Sequence, residues 1–103
     1  SSTIVFDEVD SGIGGAVSTA VGERLRKLGQ NRQVLVVTHS PQVASQSRNH
    51  FLVKKRIMND ITKIELLEIK GENKVNEIAR MLSGKQITNE AILAAKKLME
   101  KSF

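Results

Sequence analysis

The sequence contains no cysteine, no tryptophan and no tyrosine, a single proline, and only three phenylalanines among its 103 residues. Without cysteine there is neither a disulfide framework nor a thiolate metal site. An aromatic content of 3% leaves little to stack on nucleic-acid bases. No apolar run reaches the length of a membrane span and no signal-peptide pattern is present, so no membrane association is expected and a cytoplasmic location is the default. Nor is there an initiating Met. The chain opens Ser1-Ser2-Thr3 and moves straight into strand-forming residues, which raises the expectation of a piece of a longer protein.

What is present is ordinary for one globular domain with a modest core: 40% hydrophobic and 26% charged residues. The net charge of +5 points towards a polyanionic partner such as nucleic acid. The cations are spread along the chain, however, and the one run is Lys54-Lys55-Arg56. That run lies on a presumed strand. It reads first as a solvated or edge-protecting face and second as a DNA contact.

Hydrophobic periodicity divides the chain. Thr3 to Phe6 reads as a buried strand, and Gly12, Gly14 and Gly15 as a turn. A helix follows with Val17, Ala20, Val21, Leu25 and Leu28 on one face and Gly29 as its stop. Val34 to Val37 is a second apolar run, ended by Thr38-His39-Ser40-Pro41, and Pro41 suits the first turn of a helix reaching Gln46. Strand, helix, strand at this spacing is a βαβ unit with a parallel sheet. Beyond it, Phe51 to Ile57 and Ile61 to Ile69 form a hairpin about Asn59-Asp60, with a slip of alternation at Leu66-Leu67 that predicts a bulge. Val75, Ile78, Ala79 and Leu82 mark a helix closed by Gly84. Thr88 caps a last one carrying Ala91, Ile92, Ala95, Leu98 and Met99. The expected fold is thus α/β within one lobe: a βαβ part over residues 1–48, a hairpin over 49–71 and a two-helix tail over 72–103.

The chemistry gathers at two strand ends. In a parallel sheet, ligands sit beyond the carboxyl ends of the strands, where Asp7-Glu8 and Thr38-His39 both fall. Three carboxylates in four residues, Asp7, Glu8 and Asp10, repel one another unless a cation offsets them. An apolar strand followed by Asp-Glu is a Walker B arrangement. Such an Asp holds a magnesium ion, directly or through water, and the next carboxylate can deprotonate a water for attack on a γ-phosphate. A hydrolase triad built on His39 and Ser40 is disfavoured, because neighbours in extended chain point apart and no nucleophile elbow is present. A zinc site from His39 and His50 lacks both spacing and thiols.

Three stretches, "FDEVDSGIGG", "QVLVVTHSPQVAS" and "VNEIARMLSGKQIT", carry a resemblance that covers nearly the whole chain. They resemble the ATP-binding-cassette ATPases and, more closely, the C-terminal part of the RecN family, bacterial DNA-repair ATPases of the structural-maintenance-of-chromosomes (SMC) type. The resemblance implies a partial P-loop ATPase head of the cassette type, with ATP and Mg2+ as cofactors in the full-length protein. It makes Asp7 the Walker B metal ligand, Glu8 the catalytic base, and His39 the switch residue on the γ-phosphate. Asp10, Ser11 and Gly12 become the D-loop, which crosses to a partner head's phosphates. It also implies a homodimer of heads when ATP is bound, association with DNA in double-strand-break repair and recombination, and a missing N-terminal half of the head. The alternatives are a lobe of another cassette-type or helicase-like ATPase, and a non-enzymatic DNA- or protein-interaction module using the basic hairpin.

One departure matters for activity. No G-x-x-x-x-G-K-[ST] occurs anywhere, and the single Gly-Lys pair, Gly84-Lys85, is followed by Gln86. The signature motif is absent too. Without a P-loop there is no backbone cradle for the β- and γ-phosphates. The pure 103-residue chain is therefore expected to neither bind ATP tightly nor hydrolyse it. Magnesium-dependent turnover by that chain, abolished by Glu8→Gln, would show the opposite.

Overall fold

A computed structural model of the chain describes residues 3–7, 14–84 and 86–100. Eight elements follow in order: β1 (Thr3–Asp7), α1 (Gly15–Leu28), β2 (Gln33–Val37), α2 (Pro41–Ala44), β3 (His50–Met58), β4 (Ile61–Ile69), α3 (Glu72–Ser83) and α4 (Asn89–Glu100). β1 and β2 pair in parallel, from Thr3 opposite Gln33 to Asp7 opposite Val37. β3 and β4 form a separate antiparallel hairpin. The α/β class, the parallel pair, the hairpin and the two helices after it are as the sequence leads one to expect.

The apolar residues of β1 and β2 alternate in exposure instead of being buried throughout. Ile4, Phe6, Val34 and Val36 are half-buried, whereas Val5, Leu35 and Val37 stand 61%, 52% and 49% exposed. Phe6 looks across an apolar groove at Val17, Ala20, Val21, Leu25 and Leu28, the face of α1 that the periodicity picks out. One face of this two-stranded sheet looks onto α1 across that groove and the other does not, so the run is half-buried on one side and exposed on the other.

The hairpin turns on Asn59 and Asp60, both with positive φ, at 50° and 62°. Asn and Asp tolerate that conformation, and a two-residue turn with both φ positive matches the twist of the strands it joins. The register then runs unbroken from Met58 opposite Ile61 to His50 opposite Ile69, so there is no bulge at Leu66-Leu67. Both leucines are exposed, and with neither face deeply buried the broken alternation exacts no register slip.

The core lies among the short helices, not under the sheet. Ala44 of α2 packs with Ile78 and Ala79 of α3 and Ala91 and Ala95 of α4, flanked by Val75, Met81, Leu82, Ile92, Leu98 and Met99. Gly84, at a φ of 86°, ends α3 and returns its N–H to the Arg80 carbonyl. Thr88 Oγ1 accepts from the Ala91 N–H at 3.1 Å, the cap expected of it.

Helix α1 meets α2 over small residues. Ser18 and Gly22 are its buried positions. A Cβ on Gly22 would lie 3.0 Å from the Gln42 carbonyl oxygen and 3.2 Å from Val43 Cα, so the two backbones could not keep their approach. Gly22→Val should cost about 1–3 kcal/mol in chemical denaturation through overpacking. Ala16→Val, on an exposed position of the same helix, should cost under about 1 kcal/mol, from helix propensity alone.

Candidate functional site

The parallel register decides where the chemistry falls. Asp7 is the last residue of β1 and lies opposite Val37, the last of β2. Thr38 and His39 continue directly from Val37, so the Asp7 carboxylate and the His39 segment leave the sheet at one carboxyl rim. Both residues are exposed. Glu8, Asp10, Ser11 and Gly12 lie outside the described residues. Among the described residues no three His, Asp or Glu side chains cluster as a metal site. Asp7 does supply a hard carboxylate oxygen at a rigid strand end, the donor type that magnesium takes.

Behind the rim the backbone is held closely. The Ser40 N–H donates to Thr38 Oγ1 at 2.9 Å, clamping the turn that carries His39. Ser40 Oγ in turn accepts from the Val43 N–H at 3.3 Å and donates to Gln42 Oε1 at 3.0 Å, so Ser40 is the N-cap of α2. With Pro41 at its first position, α2 starts where the sequence places it. It ends at Ala44, short of Gln46, in turn-type bonds from the Gln46 N–H to the Val43 carbonyl and the Ser47 N–H to the Ala44 carbonyl.

The next two carbonyls along this turn, those of Gln46 and Ser47, are met by cations. Arg26 Nη1 of α1 donates to the Gln46 carbonyl at 2.8 Å, and Lys74 Nζ of α3 donates to the Ser47 carbonyl at 2.7 Å. Lys74 is buried, and burial, with the nearby Arg26 charge, lowers its pKa from the usual lysine range. Beside it are His50, at the start of β3, and Glu77, which Arg80 engages in an ion pair. The Nδ1 atom of His50 is enclosed with no hydrogen-bond partner among the described residues. Burial, reinforced by the Lys74 charge and opposed by Glu77, pushes the His50 pKa below 6.5. Periodicity leaves Lys74 on a helix surface. Only its spacing one turn ahead of Ile78 hints that it shares the buried face.

No family model matches the chain. Curated relatives do. The DNA repair protein RecN of Xylella fastidiosa (strain 9a5c) is 48% identical over 98 residues, which is 95% of this chain and 18% of that protein. RecN of Rickettsia felis is 44% identical over 97 residues, 94% of this chain and 18% of its own length. RecN of Deinococcus radiodurans is 47% identical over 91 residues, 88% of this chain and 16% of its own. This chain is RecN-like along nearly its whole length. It spans about a fifth of those relatives, and the resemblance to the C-terminal part of RecN holds. A solved chain from work on ATP-driven dimerization and DNA-stimulated activation of SMC ATPases superposes with a TM-score of 0.60. That match covers 84% of this chain and 50% of the other at 16% identity, and so establishes the fold. Among the described residues no helix is long and apolar enough to cross a membrane.

The electrostatics at the RecN-like junction give a pH test. The unfolded His50 takes up a proton near pH 6.5, while the folded imidazole resists it. The unfolded state therefore binds more protons just below that pH, and stability must fall as pH drops through it. Urea midpoints should decline from pH 7 towards pH 5.5, and His50→Gln should flatten that part of the decline.

Proposed function

We propose that this chain is the C-terminal lobe of an ATP-hydrolysing head in a RecN-type DNA-repair protein, acting in the cytoplasm. The observation that carries the reading is the register of the parallel pair. By setting Asp7 beside Val37, it brings a carboxylate and the His39 segment to one rim of a fold shared with an SMC ATPase chain. The RecN relatives, all DNA repair proteins by name, support the assignment of the class.

On this reading Asp7 holds Mg2+ at the end of β1. A metal held there would offset phosphate charge during the transfer. Glu8, the next residue, accepts the proton of the water that attacks the γ-phosphorus, leaving ADP and inorganic phosphate. His39 donates an imidazole N–H to a γ-phosphate oxygen and so distinguishes ATP from ADP. Asp10, Ser11 and Gly12 reach a second head across an ATP-bound homodimer. The phosphate cradle comes from the N-terminal half of the head. The exposed face of Val5, Leu35 and Val37 is an apolar surface on which such a half can pack. ATP-dependent pairing and release of heads then controls the grip on DNA during double-strand-break repair and recombination.

The test uses the full-length protein. Glu8→Gln should lower ATP turnover by about a hundredfold or more, as loss of a general base does, while leaving ATP binding in place. Asp7→Asn should weaken the magnesium dependence of binding. Full turnover by Glu8→Gln would end the assignment.

A further inference from the structure

Helix α2 has four residues, too few to hold helical geometry unaided. Its order is supplied from outside, at both ends and along one side. At its start, Ser40 caps it and is itself tied to Thr38, so the residue between them, His39, has its backbone pinned to the helix. Along its side, Gly22 of α1 lets Gln42 and Val43 approach to near contact. Just past its end, in the turn that follows Ala44, Arg26 and Lys74 donate to the Gln46 and Ser47 carbonyls. Lys74 matters most of these, because it comes from α3. Helix α3 also carries Ile78 and Ala79 of the core, and it follows directly on the hairpin.

We infer that α2 is a strut and that Lys74, with Arg26, is a positioning residue for His39. Lys74 holds the far end of the strut, so the placement of the tail helices is transmitted to the imidazole at the rim. This rests on the ATPase reading above. A buried ammonium is a costly way to satisfy one carbonyl. A neutral side chain would fill the space without that cost, but it would leave the Ser47 carbonyl unpaired and the strut free to shift. Transmission in the other direction follows as well: contact of His39 with a γ-phosphate would bear, through Ser47 and Lys74, on α3 and α4. The site at the rim and the tail are thereby coupled through one turn of helix.

The experiment is a double-mutant cycle in the full-length protein, reading ATP turnover and ATP affinity separately. His39→Ala, Lys74→Met and the double variant are compared with the parent. Lys74→Met should lower kcat about tenfold with ATP affinity changed by less than about twofold, and Lys74→Arg should recover most of the loss. In the His39→Ala background, Lys74→Met should change kcat by less than about twofold, since the residue it positions is gone. Multiplicative losses would overturn the inference, as would a Lys74→Met protein that keeps full kcat or loses ATP affinity alone. Should Lys74→Met fail to fold, Arg26→Gln takes its place in the same cycle and is read by the same outcomes. The two readings fail differently. A His39→Ala protein with unimpaired turnover removes the role of the imidazole and the strut with it. Impaired turnover with independent losses leaves the ATPase reading standing and removes only the strut.

Discussion

Because β1 and β2 run parallel and start level, Thr3 against Gln33, their carboxyl ends also finish level, Asp7 against Val37. All else at the rim depends on that alignment. A shift of a single residue would turn Asp7 to the opposite face of the sheet from its present neighbours and move Thr38-His39 along the strand axis by roughly 3.3 Å. Two five-residue strands would not hold such a register alone. Phe6 facing the apolar stripe of α1 fixes which side of β1 looks inward, and the Thr3 hydroxyl donating to Gln33 Oε1 at 2.7 Å marks the level start.

The second constraint is how little core the chain has. Its fully enclosed side chains are small or sit between α2, α3 and α4, while the hairpin leaves Val53, Ile57, Ile64 and Leu66 more than 60% exposed. On the basic side of the hairpin, Arg56 lies opposite Lys63, a like-charge pair that Glu65, 3.7 Å from Arg56, only partly offsets. A chain with this distribution keeps its chemistry where backbone geometry is firmest and leaves much apolar surface for contact with other protein. Both properties suit the head lobe proposed above.

What could be read from the residues was whatever a local rule specifies. Asn59-Asp60 made its turn because both residues accept positive φ. Gly84 and Thr88 ended one helix and began the next because a left-handed stop and a hydroxyl cap have few substitutes. The strand-end placement of Asp7 and His39 followed from two apolar runs with a helix between them. Failures came where tertiary surroundings decide. Alternation at Leu66-Leu67 forecasts a bulge only if a buried face enforces register, and neither face is deeply buried. The burial expected of Val5 requires a second layer over the sheet. Gly22 draws no attention in the sequence, and its role appears only with α2 packed against it.

Lys74 is the clearest case of what a sequence conceals. A lysine on a helix has by default a solvated ammonium, and nothing adjacent to it marks an exception. Its burial arises from the turn that follows α2, where the Ser47 carbonyl meets α3 and Arg26 takes the neighbouring Gln46 carbonyl. Each donor is explained only by an acceptor more than twenty-five positions away for Lys74 and twenty away for Arg26. Such contacts form once the halves of the chain have met, so they join the strand-end chemistry to the helical tail. On the function proposed above, that is the property required of residues that link a nucleotide site to the rest of the protein. Local pattern could locate the site but not this connection, which exists only between elements.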